Sequence, residues 1–374
     1  MKRVLALVSS LLCVAILAPA ARADLRVRWH VSLPGGVQAV AVGPDGSVYT
    51  VGTRGIPEKK YGSQVTVRRL NGAGTVVWTR RWHPRGGASW GSAVTVSPDG
   101  IVFVAGTVGV NSKGASWFVR SYGPNGGLRA AFVAPYEVDV MSSVTDVVAR
   151  GDLVVVAQTA EGCCEAWPVD GWVRAFDARL RPRWSDTFIR HRGDPVTGLS
   201  LDAFGNVLVG GIEGTRFSGP SSPPVAGVLA VEKLTAGGAL LWRHRPGVKT
   251  PGDGTVAVSA LGDRLMVSAP LRAGGAWLGR FTLGGDLRWS RAWGTERRRR
   301  QTPLALAIDA SGATWVVGTR RHATDPQVDG SVRRIGPAGG LLGTISIANA
   351  GATGVSPWRG DAYVAATDLW RIAG

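Results

Sequence analysis

Between Val94 and Thr107 the chain reads V-T-V-S-P-D-G-I-V-F-V-A-G-T, two short apolar runs hinged on Asp99-Gly100. Short β-rich runs joined by such a pair predict a strand, a tight turn and a second strand, because glycine supplies the positive φ that the hairpin requires. The pattern recurs around Gly46, Gly100, Gly151, Gly205, Gly262, Gly312 and Gly360, with gaps of 48 to 57 residues. Val40-Ala41-Val42 precedes Val48-Tyr49-Thr50-Val51, and Ala305-Leu306-Ala307-Ile308 precedes Thr314-Trp315-Val316-Val317. These paired runs define strands a and b of a repeat.

A second hairpin follows each first one, as in Val65 to Leu70 and Thr75 to Trp78 around Asn71-Gly72-Ala73-Gly74. Eight residues beyond the last apolar residue of each strand c stand Trp78, Ala130, Trp184, Trp242, Trp289 and Gly343. Four of these six positions are tryptophan, read as packing anchors of an outer strand d. Four antiparallel strands in about 50 residues make one blade of a β-propeller. The ends of the chain complete the count. Residues 351–374 supply only strands a, b and c of a last unit, while Leu25 to His30 stands alone before the first. The expected fold is therefore all-β, a seven-bladed β-propeller whose N-terminal strand closes the last blade and leaves no open sheet edge.

Leu201-Asp202-Ala203-Phe204-Gly205-Asn206-Val207-Leu208-Val209-Gly210 carries the repeat in its fullest form. In this the chain resembles the seven-bladed β-propeller repeat proteins of secreted bacterial chains. The resemblance implies a scaffold, and that family brings no common catalytic residues to transfer.

Residues 1–23 combine Lys2 and Arg3, an apolar run from Val4 to Pro19 and the small-residue pattern Ala21-Arg22-Ala23. That is the layout of a secretory signal peptide cleaved near Ala23, with the propeller spanning 24–374 as one domain. Export to the cell envelope or beyond is expected, with no membrane-spanning segment afterwards. The formal charge of +17 falls to +14 once Lys2, Arg3 and Arg22 are removed. Arginine supplies nearly all of it, 37 residues against six lysines, which suits attraction to acidic surfaces better than it argues for nucleic acid.

Strand order assigns the loops to faces. The a–b and c–d turns are short and share one end, whereas the b–c and d-to-next-a connections share the other and are long, as in Gly52 to Gln64 and Thr319 to Gly330. Binding residues on rigid scaffolds concentrate in such connections. Arg297, Arg298, Arg299 and Arg300 fall between the fifth and sixth blades, and Arg320, Arg321 and His322 fall at the b–c loop of the sixth. Arg190-His191-Arg192, Arg243-His244-Arg245, Arg81 with His83 and Arg85, and Lys59-Lys60-Tyr61 belong to the same end. Arginine forks pair bidentately with oxyanions, so an anionic envelope polymer or an acidic protein is the expected partner of a monomeric, non-catalytic scaffold. A solvated basic face is the plain alternative.

Cys163 and Cys164 are the two cysteines left after signal removal. Export favours oxidation, and a vicinal disulfide, an intermolecular bridge and a free thiol pair all remain open. The loop offers Glu161 and Glu165 but no histidine, which argues against a metal site. Such a pair in a tryptophan-bearing propeller is similar to the quinoprotein alcohol dehydrogenases. Their quinone cofactor and calcium find no matching ligands in this shorter chain, and no cofactor is expected. Asp146, Asp202 and Asp309 end strand a in three repeats and could be imagined as a carboxylate ring, but turn duty is the simpler role. The rival to a binding scaffold is a propeller enzyme, a quinoprotein-like oxidoreductase or a lyase of acidic polysaccharide working at the channel mouth. No nucleophile elbow, P-loop or dinucleotide fingerprint supports it, and the five histidines show no metal-ligand spacing.

Overall fold

A computed structural model describes residues 25–57, 62–85, 87–109, 115–135, 140–162, 170–188, 194–217, 224–295, 301–321 and 328–374. Every regular element in it is a strand, and seven antiparallel four-stranded blades form a ring. Blade one runs Ala39–Val42, Val48–Gly55, Ser63–Leu70 and Val76–Trp82, with the strands hydrogen-bonded in sequence order. Blades two to six repeat that order, beginning at Ala88–Val96, Val140–Arg150, Val196–Leu201, Ala257–Leu261 and Gln301–Ile308. Blade four carries an added short strand, Lys249–Thr250, against its strand c.

The last blade joins the two ends of the chain. Gly354–Trp358, Asp361–Ala365 and Leu369–Ala373 form strands a to c, and Arg26–Val31 pairs antiparallel with the third of them. Each strand a lies against the strand a of the next blade, and that of blade seven lies against that of blade one, so the inner ring is closed. Strand b reads as a continuous apolar run because it is covered on both faces, as in Val102-Phe103-Val104-Ala105, all fully buried. The core accordingly divides into clusters between neighbouring blades, such as Val51, Val67 and Trp78 of blade one with Val104 and Phe118 of blade two.

The a–b turns come in two lengths. In blades one and two Gly46 and Gly100 adopt a φ of +81° and donate to the carbonyls of Gly43 and Ser97, which makes a longer turn than two residues. Blades three, five and seven use two-residue hairpins, and in blade seven both central residues, Arg359 and Gly360, have positive φ. No helix among the described residues is long and apolar enough to cross a membrane.

The strand-d tryptophans form an interblade latch. Trp78, Trp184, Trp242 and Trp289 donate their indole N–H to the carbonyls of Pro124, Ala236, Leu283 and Pro337, at 2.9, 2.9, 3.0 and 3.2 Å. Each acceptor lies in the c–d turn of the next blade. Each ring also packs on the positive-φ glycine of that turn; a Cβ at Gly238 would come within 2.8 Å of Trp184, and one at Gly126 within 3.0 Å of Trp78. Trp29, on the N-terminal strand, occupies the same register in blade seven and packs on Gly74 of blade one.

Both missing tryptophans have a structural reason. Ala130 of blade two faces a turn in which Leu180, not glycine, takes the left-handed conformation at φ +60°, so a side chain fills the place of the ring. Gly343 of blade six faces blade seven, where strands c and d belong to opposite ends of the chain and no c–d turn exists.

Candidate functional site

At the end of the ring that carries the b–c and d-to-a connections, two groups of arginines form no ion pair among the described residues. The first sits at blade six. Arg320 and Arg321 end strand b, Thr314–Arg321, while Arg333 lies on strand c, Val328–Ile335. Alternation along strand c turns Arg333 and Arg334 to opposite faces. Arg334 pairs with Asp309 at 3.0 Å, whereas Arg333 donates only to the Gln301 side-chain oxygen at 3.1 Å. Arg320 donates to the Ser346 hydroxyl at 3.3 Å, and its buried Nε has no acceptor.

Together Arg320 and Arg333 line an open cleft of about 290 Å³ with Gln301, Ser331, Thr344 and Ser346. Among the described residues neither arginine has a carboxylate partner. Burial, and then the like charge of Arg320, press the Arg333 guanidinium below its usual value. Two crowded guanidiniums beside three hydroxyls form an arrangement that an oxyanion would relieve.

Blade one holds the second cluster. Arg68, buried on strand c, donates to the Pro34 carbonyl, and its Nη1 has no acceptor. Burial lowers its pKa first, and the nearby Arg81 and Arg54 add to the effect.

Of the residues singled out in the sequence, Arg320 and Arg321 fall at this face. Arg297, Arg298, Arg299, Arg300 and His322 lie outside the described residues, as do Cys163, Cys164, Lys59-Lys60-Tyr61 and Arg190-His191-Arg192. The two ends of the connection that carries Arg297 to Arg300, Gly294 and Gln301, both line the Arg320 cleft. The Arg243-His244-Arg245 run does not add free positive charge. Arg243 is paired with Glu232, Arg245 with Glu213, and His244 stands edge-on to Phe281.

Arg333 and Arg68 escaped the sequence reading because each is one arginine of an Arg-Arg pair within a strand. The signal available was their alternation. The neighbours Arg69 and Arg334 sit within two residues of the strand end, as do Lys233, Arg280 and Arg371, all of them opposite turn aspartates.

The strand-a aspartates divide. Asp202 accepts from the Phe204 and Asn206 amides and from Lys233, and Asp309 from the Ser311 amide, the Trp315 indole and Arg334. Burial opposes both charges, but these donors hold the two carboxyls below the usual range. Both do the turn duty expected of them.

Asp146 is different. In the common register of strand a the other six blades carry Ala39, Ala93, Gly198, Ala257, Ala305 and Gly354. That position abuts the next blade; a Cβ at Gly198 would lie 2.5 Å from the Val256 oxygen. Asp146 instead reaches across the seam and accepts from Leu199 N of blade four at 2.8 Å and from Val147 N at 2.8 Å. Burial, outweighing these hydrogen bonds, pushes its carboxyl up to about 7.

Among the described residues no three His, Cys, Asp or Glu side chains gather as a metal site would require. No family model matches the chain, and no curated protein matches it. Solved structures do. A chain in the crystal structure of a mitotic checkpoint complex is 14% identical with a TM-score of 0.59, covering 99% of this chain and 98% of that one. YCF48 bound to D1 peptide matches at 9% identity and a TM-score of 0.54, over 96% of this chain and all of the other. Puromycin hydrolase matches at 16% identity and 0.54, over 90% of this chain and 50% of its own. At such identities the likeness carries the propeller fold alone.

Proposed function

We propose that this protein is an exported, non-catalytic propeller scaffold that binds an anionic polymer or an acidic protein partner. The binding surface is the face of the b–c and d-to-a connections. One observation carries the reading: Arg320 and Arg333 converge on an open cleft that no acid of the described residues lines, and neither forms an ion pair with one. Arginines near the ends of several strands c are instead neutralised by turn aspartates in their own blade, as Arg69 is by Asp45 and Arg371 by Asp361. The contrast separates a structural arginine from one held ready for a partner.

Similar propellers include both a checkpoint-complex chain and a hydrolase. Fold therefore does not choose between binding and catalysis, and the side chains must. Gly294 and Gln301, which flank Arg297 to Arg300 in sequence, line the same cleft, and on this reading those four arginines would extend its charge. Export follows from residues 1–23, and recovery of the uncleaved chain in the cytoplasm alone would contradict it.

Replacing Arg297 to Arg300 with serine in the full chain, and separately Arg320→Gln with Arg333→Gln, should each preserve the unfolding midpoint and shorten retention on an anionic matrix. Unchanged elution of both variants would overturn the assignment.

A further inference from the structure

Thr50, Thr66 and Arg68 present three buried polar groups to the seam between blades seven and one. Thr50 and Arg68 are register partners on strands b and c, and Thr66, opposite Gly52, lies two residues along the same face. Both threonines are fully buried, and Arg68 is 3% exposed. Neither hydroxyl has a hydrogen-bond partner among the described residues, and neither does Arg68 Nη1. The other terminal nitrogen of Arg68 donates to the Pro34 carbonyl, in the connection that leads from the N-terminal strand into blade one. Thr53 N donates to the Gly35 carbonyl of that connection at 3.1 Å, and Gln38 N donates to the Val51 carbonyl at 2.9 Å, so the connection is pinned over strand b. It passes directly over Gly52, where a Cβ would strike the Gly36 carbonyl. The guanidinium is thereby drawn along the face towards Gly52 and Thr66.

An arginine keeps its charge when buried. Arg68 forms no ion pair among the described residues, and the seam around it is apolar, with Leu33, Val37, Ala365 and Leu369 packed together. Arg54 and Arg81, on the same face of the blade, add positive potential rather than relieving it. A buried charge without a counter-charge is costly, and so are buried hydroxyls without partners. Water would meet the hydrogen bonds but not the charge; an anion meets both. Neighbouring strands lie about 4.8 Å apart, which favours a monatomic ion between such donors over a tetrahedral oxyanion.

We infer that this seam binds a halide ion such as chloride, held by Arg68 Nη1 and the hydroxyls of Thr50 and Thr66. The site is separate from the Arg320 cleft. It fastens the strands of blade one to the seam at which the ring closes.

The test is the unfolding midpoint of the full chain as sodium chloride or bromide replaces sodium gluconate at constant ionic strength. The wild-type midpoint should rise and saturate, as it must for a ligand bound only by the folded state. Thr50→Val and Thr66→Val keep the side-chain shape and remove one donor each. Each should raise the halide concentration that gives half the rise at least fivefold. General salt effects act on all variants alike, so the difference isolates the site. Arg68→Met should abolish the saturable rise, and the two valine variants serve if that change impairs folding. The Arg320→Gln/Arg333→Gln variant should keep the rise. In bromide-soaked crystals the anomalous signal should peak between Arg68 Nη1 and the two hydroxyls. A wild-type midpoint without a saturable rise, the same rise in the valine variants, or a seam in which water alone meets the three donors would each overturn the inference.

Discussion

The indole N–H of Trp78 in blade one donates to the Pro124 carbonyl of blade two across 2.9 Å, and the ring rests on Gly126 of the same turn. That single relationship, repeated at Trp184, Trp242 and Trp289, joins the rim of one blade to the next. It combines apolar burial with a satisfied donor, the two things a buried tryptophan requires.

Trp78→Ala should therefore destabilise the fold by about 3 kcal/mol, through lost burial and the space left behind. Trp78→Phe should cost less, because it keeps most of the contact and removes one of the two donors to the Pro124 carbonyl, Arg69 being the other, a loss of about 1 kcal/mol. Denaturant titration of the two variants measures both. A negligible effect of the alanine variant would mean that the latch does not hold the rim.

The seam between blades two and three offers the converse experiment. Ala130 and Leu180 stand where other blades place tryptophan and glycine, beside an open cleft of about 460 Å³ lined by Ile101, Arg129 and Ala178. Ala130→Trp alone should be unfavourable because Leu180 occupies the seat, whereas Ala130→Trp with Leu180→Gly should recover that loss. The coupling is read from a double-mutant cycle. Strictly additive effects would contradict the pairing of the two positions.

Asp146 gives a pH dependence with a defined sign. Its folded carboxyl titrates near 7, above the ordinary value of 3.8, so the folded state binds this proton more tightly than the unfolded chain. Stability from this group is greatest below about pH 4, declines as pH rises towards 7 and is constant above that. Asp146→Asn removes the titration. The difference in unfolding midpoint between the wild type and this variant should therefore change between pH 5 and pH 8 in the direction of a relatively weaker wild type at pH 8. A difference independent of pH would rule out the raised value.

The ring was legible in the sequence because a blade is a local object, with strands, turns and tryptophan each at a fixed offset from the last. The count of eight residues located Trp78, Trp184, Trp242 and Trp289, and it marked Ala130 and Gly343 as exceptions. It could not reach Trp29, whose strand c lies at the other end of the chain. Nor could it say why Ala130 and Gly343 differ, since the reason lies in the turn of a neighbouring blade or in its absence. The long-loop face was legible from strand order, and Arg320 and Arg321 with it. Arg333 was not, because its exposure to the cleft rather than to an aspartate depends on which face of strand c it takes. Asp146 looked like Asp202 and Asp309 until the register showed alanine or glycine at its place in the other six blades.

The central claim is that Arg320 and Arg333 form an anion-binding cleft, and salt dependence tests it most directly. Affinity of the full chain for a linear polyanion such as polyglutamate should be measured across a range of ionic strength, for the wild type and for Arg320→Gln/Arg333→Gln. The logarithm of affinity should fall linearly with the logarithm of salt concentration, and the slope should shrink by about two in the double variant, one for each contact removed. Binding insensitive to salt, or a slope unchanged by the substitutions, would contradict the account.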